Sequence, residues 1–277
     1  MSSPAALKST SSILAVVTHF GCERWLDQCI HSLVSQTRPA DGVIVVDDHS
    51  DQPPVDIVRK YPTVSLWVSA ENSGPYQLMQ NVVDSTDYDA YMFQDADDWS
   101  TSNRLQITLT EAERSQAEMV GSQVHDVFCD IKPERAVEYQ WDVRAAVLAN
   151  PTIHPILLPT SIVSRSLIRR VGGFATGLRF GGDSEFIRRA VFAGKIVNVP
   201  QKCYHRRIHP ASATRRPDTG FGSPLRNSLA VRLQSRARSN VAKVIAGQEP
   251  DLYPLEIAPP IELTPLIGPP IRMANCY

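Results

Sequence analysis

Three aspartates fall within four positions, at Asp95, Asp97 and Asp98, directly after the apolar run Ala90-Tyr91-Met92-Phe93. A buried strand that ends on clustered carboxylates sets like charges side by side, and they repel unless a cation is shared. Hard oxygen donors at this spacing suit Mg2+ or Mn2+, ions that keep coordination positions for water and for phosphate oxygens. Such a seat points toward nucleotide-diphosphate chemistry. The same residues also suit an exposed acidic turn, since aspartate favours turns and caps, so the rest of the chain must decide. Further carboxylates stand at Asp47-Asp48, after Val43-Ile44-Val45-Val46, and at Asp183 and Glu185, after Gly181-Gly182. From Arg206 to Arg238 eight arginines oppose one acid, Asp218. Guanidinium forks pair with phosphate oxygens, although the outer arginines equally suit a solvated helix face.

The elements that must position these groups follow from hydrophobic patterning. Ile13 to Val17 and Val43 to Val46 are uninterrupted apolar runs, as expected of strands covered on both faces of a parallel sheet. Between them Trp25, Leu26, Cys29, Ile30, Leu33 and Val34 recur at helical spacing, with a stop near Thr37-Arg38-Pro39. A short helix over Val55 to Lys60, a strand over Ser65 to Ser69 and a helix through Leu78, Met79, Val82 and Val83 lead to the strand that carries the acidic cluster. This alternation predicts right-handed βαβ units, whose ligands bind outside the carboxyl ends of the strands. A helix from Leu105 toward Ala117 and one or two strands over Met119 to Asp130 follow, whereas residues 131–160 carry no clear pattern. Beyond them a strand over Thr160 to Val163 and a helix over Ser166 to Val171 are expected. Gly181-Gly182-Asp183-Ser184-Glu185 then opens another helix, with Asp183 or Ser184 as its N-cap.

Composition narrows the class. A chain of 277 residues with 43% hydrophobic content holds one large α/β domain or two small ones, and a net charge of -1 provides no general attraction to nucleic acid. Five cysteines with no CxxC pair fit a reduced cytoplasmic setting. The apolar stretch Ile13 to Val17 is too short for a transmembrane segment or signal core. Prolines crowd the chain after about residue 245, as in an extended arm that wraps the body or joins a second copy into a homo-oligomer.

Taken in order, Val17-Thr18-His19-Phe20, Val45-Val46-Asp47-Asp48-His49-Ser50, Glu71-Asn72-Ser73-Gly74-Pro75-Tyr76, Phe93-Gln94-Asp95-Ala96-Asp97-Asp98-Trp99-Ser100 and Gly181-Gly182-Asp183-Ser184-Glu185-Phe186 resemble the family 2 glycosyltransferases over residues 12–230. The resemblance implies a GT-A fold: a Rossmann-like, mainly parallel sheet flanked by helices, here with an extended C-terminal arm. It implies inverting transfer of a sugar from a nucleotide-diphosphate donor, in the first instance a UDP-sugar, to an acceptor hydroxyl or similar nucleophile with Mn2+ or Mg2+. The expected division is a flexible N-terminus at 1–11, a nucleotide-sugar-binding half at 12–130, an acceptor-binding and catalytic half of the same domain at 131–245, and the proline-rich arm at 246–277.

Mapped by motif, the family's base-binding acid falls on Asp48 with Asp47 beside it, and Thr18, His19 and Phe20 line the same pocket. Asn72 and Gly74 match the loop near the donor, while Asn81 sits one position beyond its usual offset. The resemblance assigns Asp97 to the metal, Asp95 to ribose or metal, and Asp98 to a supporting position. Asp183 matches the catalytic base. Gly182 stands where many relatives carry glutamate, which leaves Glu185 as a competing base. Cys203 to His209 falls on a loop that closes over the diphosphate, with His205 preferred to His209 as a metal ligand and Arg206 and Arg207 as phosphate contacts. His125 and Trp141 are candidates for the sugar or acceptor, or for packing.

Other classes remain in view. A nucleotidyltransferase would show a glycine-rich phosphate loop after the first strand, but Thr18-His19-Phe20-Gly21-Cys22 has one glycine. Dinucleotide oxidoreduction lacks its GxGxxG. A binding protein on a degenerate enzyme fold would have no use for Asp48, Asp97 and Asp183 together.

Overall fold

The computed structural model describes residues 6–129 and 134–274. Residues 1–5 of the expected flexible N-terminus, Asp130 of the expected strand from Met119, and residues 275–277 of the arm, Cys276 among them, lie outside the described residues. The first half alternates as the apolar runs dictate: β1 (Ile13–His19), α1 (Glu23–Val34), β2 (Gly42–Asp47), α2 (Val55–Val58), β3 (Val64–Ser69), α3 (Pro75–Ser85) and β4 (Ala90–Asp95). Pairing is parallel throughout this half, in the spatial order β3-β2-β1-β4. Parallel strands end on one edge, so His19 pairs in register with Asp47, and Thr18 with Asp95. The motif residues from three strands therefore converge outside the same carboxyl edge.

The second half closes the sheet with mixed pairing. It comprises β5 (Trp99–Ser100), α4 (Arg104–Ser115), β6 (Met119–Phe128), β7 (Arg135–Val137), α5 (Val143–Ala149), a 3-10 turn at Leu158–Thr160, β8 (Ile162–Ser164), α6 (Arg165–Arg170), α7 (Gly182–Ala193), β9 (Ile196–Ile208), α8 (Pro224–Ile245) and β10 (Leu263–Ile267). β8 runs antiparallel to both β4 and β6, while β9 runs parallel to β6. Within residues 131–160, which lack a sequence pattern, α5 is announced by Asp142, whose Oδ1 accepts from the Ala145 N–H at 2.9 Å.

Two expectations are corrected. The segment Cys203 to Ile208 is not a loop but the final part of β9, held against β6 from Val124↔Tyr204 to Phe128↔Ile208. The N-cap of α7 is Gly181, at φ 73°, because the helix begins at Gly182 and leaves Asp183 within its first turn. Beyond α8 the extended chain returns along the body. Its Glu262 carbonyl accepts from Ala70 N–H, and β10 adds antiparallel to the outer edge of β3. Buried side chains fill both faces of the sheet, with Tyr91, Phe93, Phe174 and Phe186 in one layer and Leu26, Ile30, Leu33 and Leu105 in the other. No helix among the described residues is long and apolar enough to cross a membrane.

Candidate active site

Asp95 ends β4, and the chain turns at once, with Asp98 N–H donating to the Asp95 carbonyl at 3.1 Å. The turn brings carboxylate oxygens of Asp95, Asp97 and Asp98 within 4.8 Å of one another. Burial, then the neighbouring Asp97 and Asp183 charges, push the Asp95 carboxyl up to about 7. Burial and the same crowding by Asp97 and Asp95 raise Asp98 well above the usual carboxylate range. A set of mutually repelling hard oxygens, two of its carboxylates partly open to solvent, fits a divalent cation of the magnesium or manganese type. Beneath the turn, the fully buried Arg104 donates to Gln94 Oε1, Ser100 Oγ, and the carbonyls of Phe93 and Ser161. The Tyr204 hydroxyl accepts from Asp95 N–H at 3.2 Å. Neither Arg104 nor Tyr204 stands out by motif; their fully buried polar groups mark them only once the fold is known.

β9 delivers the basic run, and its pairing redistributes the expected roles. His205 lies opposite Trp99 in the β5–β9 pairing and stacks on that ring at 4.9 Å, so it does not reach the carboxylates. His209, the first residue beyond the strand, instead places Nε2 2.8 Å from Asp97 Oδ2. Of the two histidines, His209 rather than His205 is the one in contact with the acidic turn. Arg206 is occupied by Asp126, with its Nε and Nη2 at 2.8 and 2.7 Å from Oδ1. Arg207 lies over the Trp99 and Trp25 rings, donates from Nε to the Asp97 carbonyl at 2.8 Å, and gives its backbone N–H to Asp98 Oδ1 at 2.7 Å. Both guanidinium groups, expected as phosphate contacts, therefore have protein partners, and Arg207 braces the acidic turn.

At the end of β2, Asp47 is buried and accepts from the Ser50 hydroxyl and backbone, with His19 Nδ1 2.8 Å from Oδ1. Burial works to raise its pKa, but the contacts to His19 and Ser50 prevail and hold it below the usual value. Asp48 accepts from Ser73 N–H at 2.7 Å on Oδ1, and from Gly74 N–H at 2.8 Å and Asn72 Nδ2 at 3.1 Å on Oδ2. Asp48 thereby shapes the 72–74 loop. Gly74 sits at φ 89°, a conformation that favours glycine. Arg179, which no motif announced, donates to the Asn72 carbonyl at 2.7 Å and to its side-chain oxygen. Asn81 turns back to the Gln77 carbonyl within α3, away from this loop. Phe20 is 55% exposed beside the half-buried Thr18, leaving an aromatic face free at the edge.

Across from these strands, Asp183 is half-buried and accepts from the Tyr76 hydroxyl at 3.2 Å on Oδ1. Next to it, Ser184 Oγ lies 3.2 Å from His154 Nδ1. Glu185 points the other way. It is 1% exposed, and its oxygens accept from Arg189, from Arg236 Nη1 at 3.0 Å and from Leu255 N–H at 3.0 Å. A carboxylate so enclosed cannot face an acceptor, which removes Glu185 as the competing base. Trp141 lies outside the site as well: its carbonyl accepts from Asn198 N–H near the start of β9, and its indole donates to Glu111. His125 is engaged by Glu134 at 3.0 Å.

The profile described as Glycosyl transferase family 2 matches residues 14–172. The fold resembles crystal structures of S. aureus TarS. A 1–349 fragment in complex with UDP superposes with a TM-score of 0.63 at 18% identity, covering 83% of this chain and 66% of that one. The same fragment in complex with UDP-GlcNAc gives 0.66 at 17% identity, covering 83% and 67%. The chain thus spans about two thirds of the length of the TarS fragments it resembles. No curated protein matches it.

Proposed function

The chain belongs to glycosyl transferase family 2, and on that premise we propose that it is a metal-assisted, inverting glycosyltransferase whose donor is a UDP-sugar. The observation that carries this reading is the gathering of Asp95, Asp97 and Asp98 oxygens within 4.8 Å at the end of β4, close enough to Asp183 for its charge to raise Asp95. One side of that edge offers an acidic seat, and the other a carboxylate with one oxygen held by Tyr76. UDP and UDP-GlcNAc in the TarS structures support uridine diphosphate as the leaving group.

Asp97 and Asp95 would hold Mn2+ or Mg2+, and the contact between His209 and Asp97 fixes the first carboxylate. When bound, the cation supplies positive charge against the diphosphate as the glycosidic bond breaks. Asp98 keeps the turn closed through Arg207 N–H rather than reaching outward. Phe20 offers a stacking face to the base, while Asp48 holds the 72–74 loop beneath it. Inversion requires the acceptor oxygen to attack from the face opposite the departing diphosphate. Asp183 Oδ2 takes the acceptor proton in that step. Asp183 sits in the first turn of α7, which carries it to this edge of the sheet.

The reading is tested by incubating the protein with a panel of nucleotide sugars, with Mn2+ and with EDTA, and following nucleotide release. Release of UDP from one UDP-sugar that ceases with EDTA is the expected result. Equal release in EDTA removes the metal from the mechanism, and no release or thermal stabilisation by any UDP-sugar rejects the donor class.

A further inference from the structure

Tyr76 and Gly182 are fitted to one another. A Cβ at position 182 would lie 2.6 Å from Tyr76 Cδ2 and 2.7 Å from Cγ, far inside van der Waals contact, so glycine is what lets the phenol lie against the first turn of α7. Seated there, the ring is 8% exposed and its hydroxyl reaches Asp183 Oδ1 at 3.2 Å. The resemblance puts glutamate at position 182 in many relatives, and a glutamate cannot enter the volume that this ring fills. Gly182 and the seat of Tyr76 are thus one arrangement.

We propose that Tyr76 is the positioning residue for Asp183: Gly182 seats its ring, and its hydroxyl pins one carboxylate oxygen so that the other faces the acceptor. The proposal rests on the reading of Asp183 as the base. The hydroxyl is anchored from α3, an element independent of α7, so the carboxylate orientation is fixed from outside its own helix. The charged or titratable groups that bear on Asp183 come from several elements. Tyr76 is on α3, Asp95 on β4, Tyr139 follows β7, His154 follows α5, and Arg188 is on α7. Of these, Tyr76 is the one seen to donate a hydrogen bond to the carboxylate. Loss of that bond leaves the carboxylate free to rotate away from the acceptor.

Tyr76→Phe tests this, because it keeps the ring over Gly182 and removes only the hydroxyl. Turnover should fall roughly tenfold or more, as for a lost hydrogen bond to a charged group. The KM for donor and the affinity for UDP with Mn2+ should stay at wild-type values. Gly182→Ala, which drives the ring and its hydroxyl away, should reduce turnover in the same way. In an Asp183→Asn background, Tyr76→Phe should cost nothing further. Wild-type turnover in Tyr76→Phe, or a further loss when it is added to Asp183→Asn, overturns the positioning role; so does wild-type turnover in Gly182→Ala. Near-normal transfer by Asp183→Asn is a different failure, since it strikes the assignment of the base itself.

Discussion

Asp97 and His209 form the pair on which the site turns at the scale of single residues. Of the two histidines at this strand end the motif favoured His205, yet pairing with Trp99 holds His205 against that ring while the end of β9 delivers His209 to Asp97 at 2.8 Å. No local signal separates them, because the choice depends on which residue β5 opposes. His209→Ala should weaken Mn2+-dependent UDP binding by about tenfold, as expected for a residue that orients a metal ligand, whereas His205→Ala should leave it unchanged. Calorimetric titration of both variants decides, and the reverse ranking would restore His205. Asp47 supports a pH prediction. Its folded pKa is depressed, so its contribution is present above the unfolded value of about 3.9 and is lost as pH falls through the folded value. Asp47→Asn should therefore lower the thermal midpoint at pH 7, and by progressively less as the pH falls below about 3.9. An equal loss throughout that range would contradict the assignment.

At the scale of elements, the first four strands were legible because parallel strands buried on both faces are uninterrupted apolar runs, such as Val43 to Val46. β9 was not, because its later half is Lys202 to Ile208, a basic run that covers sheet while its arginines reach Asp126 and Asp97. α5 was hidden for the opposite reason: seven residues are too few for a period to declare itself. α7 shows how neighbouring carboxylates divide their work. Asp183 faces the site, and two residues on Glu185 faces inward to Arg189 and Arg236, which tie α7 to α8, while Leu255 N–H adds the returning chain. Removing Glu185 strips the buried Arg189 of its carboxylate partner and leaves Arg236 with Asp251 alone. Glu185→Ala should accordingly cost about 3–5 kcal/mol in denaturant unfolding. A catalytic Glu185 would instead lose turnover with stability intact.

At the scale of the whole molecule, one sheet collects carboxylates that lie far apart in the chain. Asp47 and Asp95 arrive on strands flanking β1, and Asp183 arrives from a helix that folds back across the same edge. The motifs gave this convergence because each follows a strand end or opens a helix. The supporting shell of Tyr76, Arg104, Arg179 and Tyr204 was hidden because it acts across elements distant in sequence. β10, within the proline-rich stretch, was hidden, since strand addition at an edge depends on the partner it meets. Membership of the glycosyltransferase family and the acidic turn meet in one claim, that Asp97 seats a cation for the donor diphosphate. Isothermal titration of UDP into the wild type and Asp97→Asn, each with Mn2+ and with EDTA, tests it most directly. The account predicts binding by the wild type that requires Mn2+ and a loss of at least about tenfold in Asp97→Asn. Wild-type affinity in Asp97→Asn, or binding indifferent to Mn2+, would contradict it.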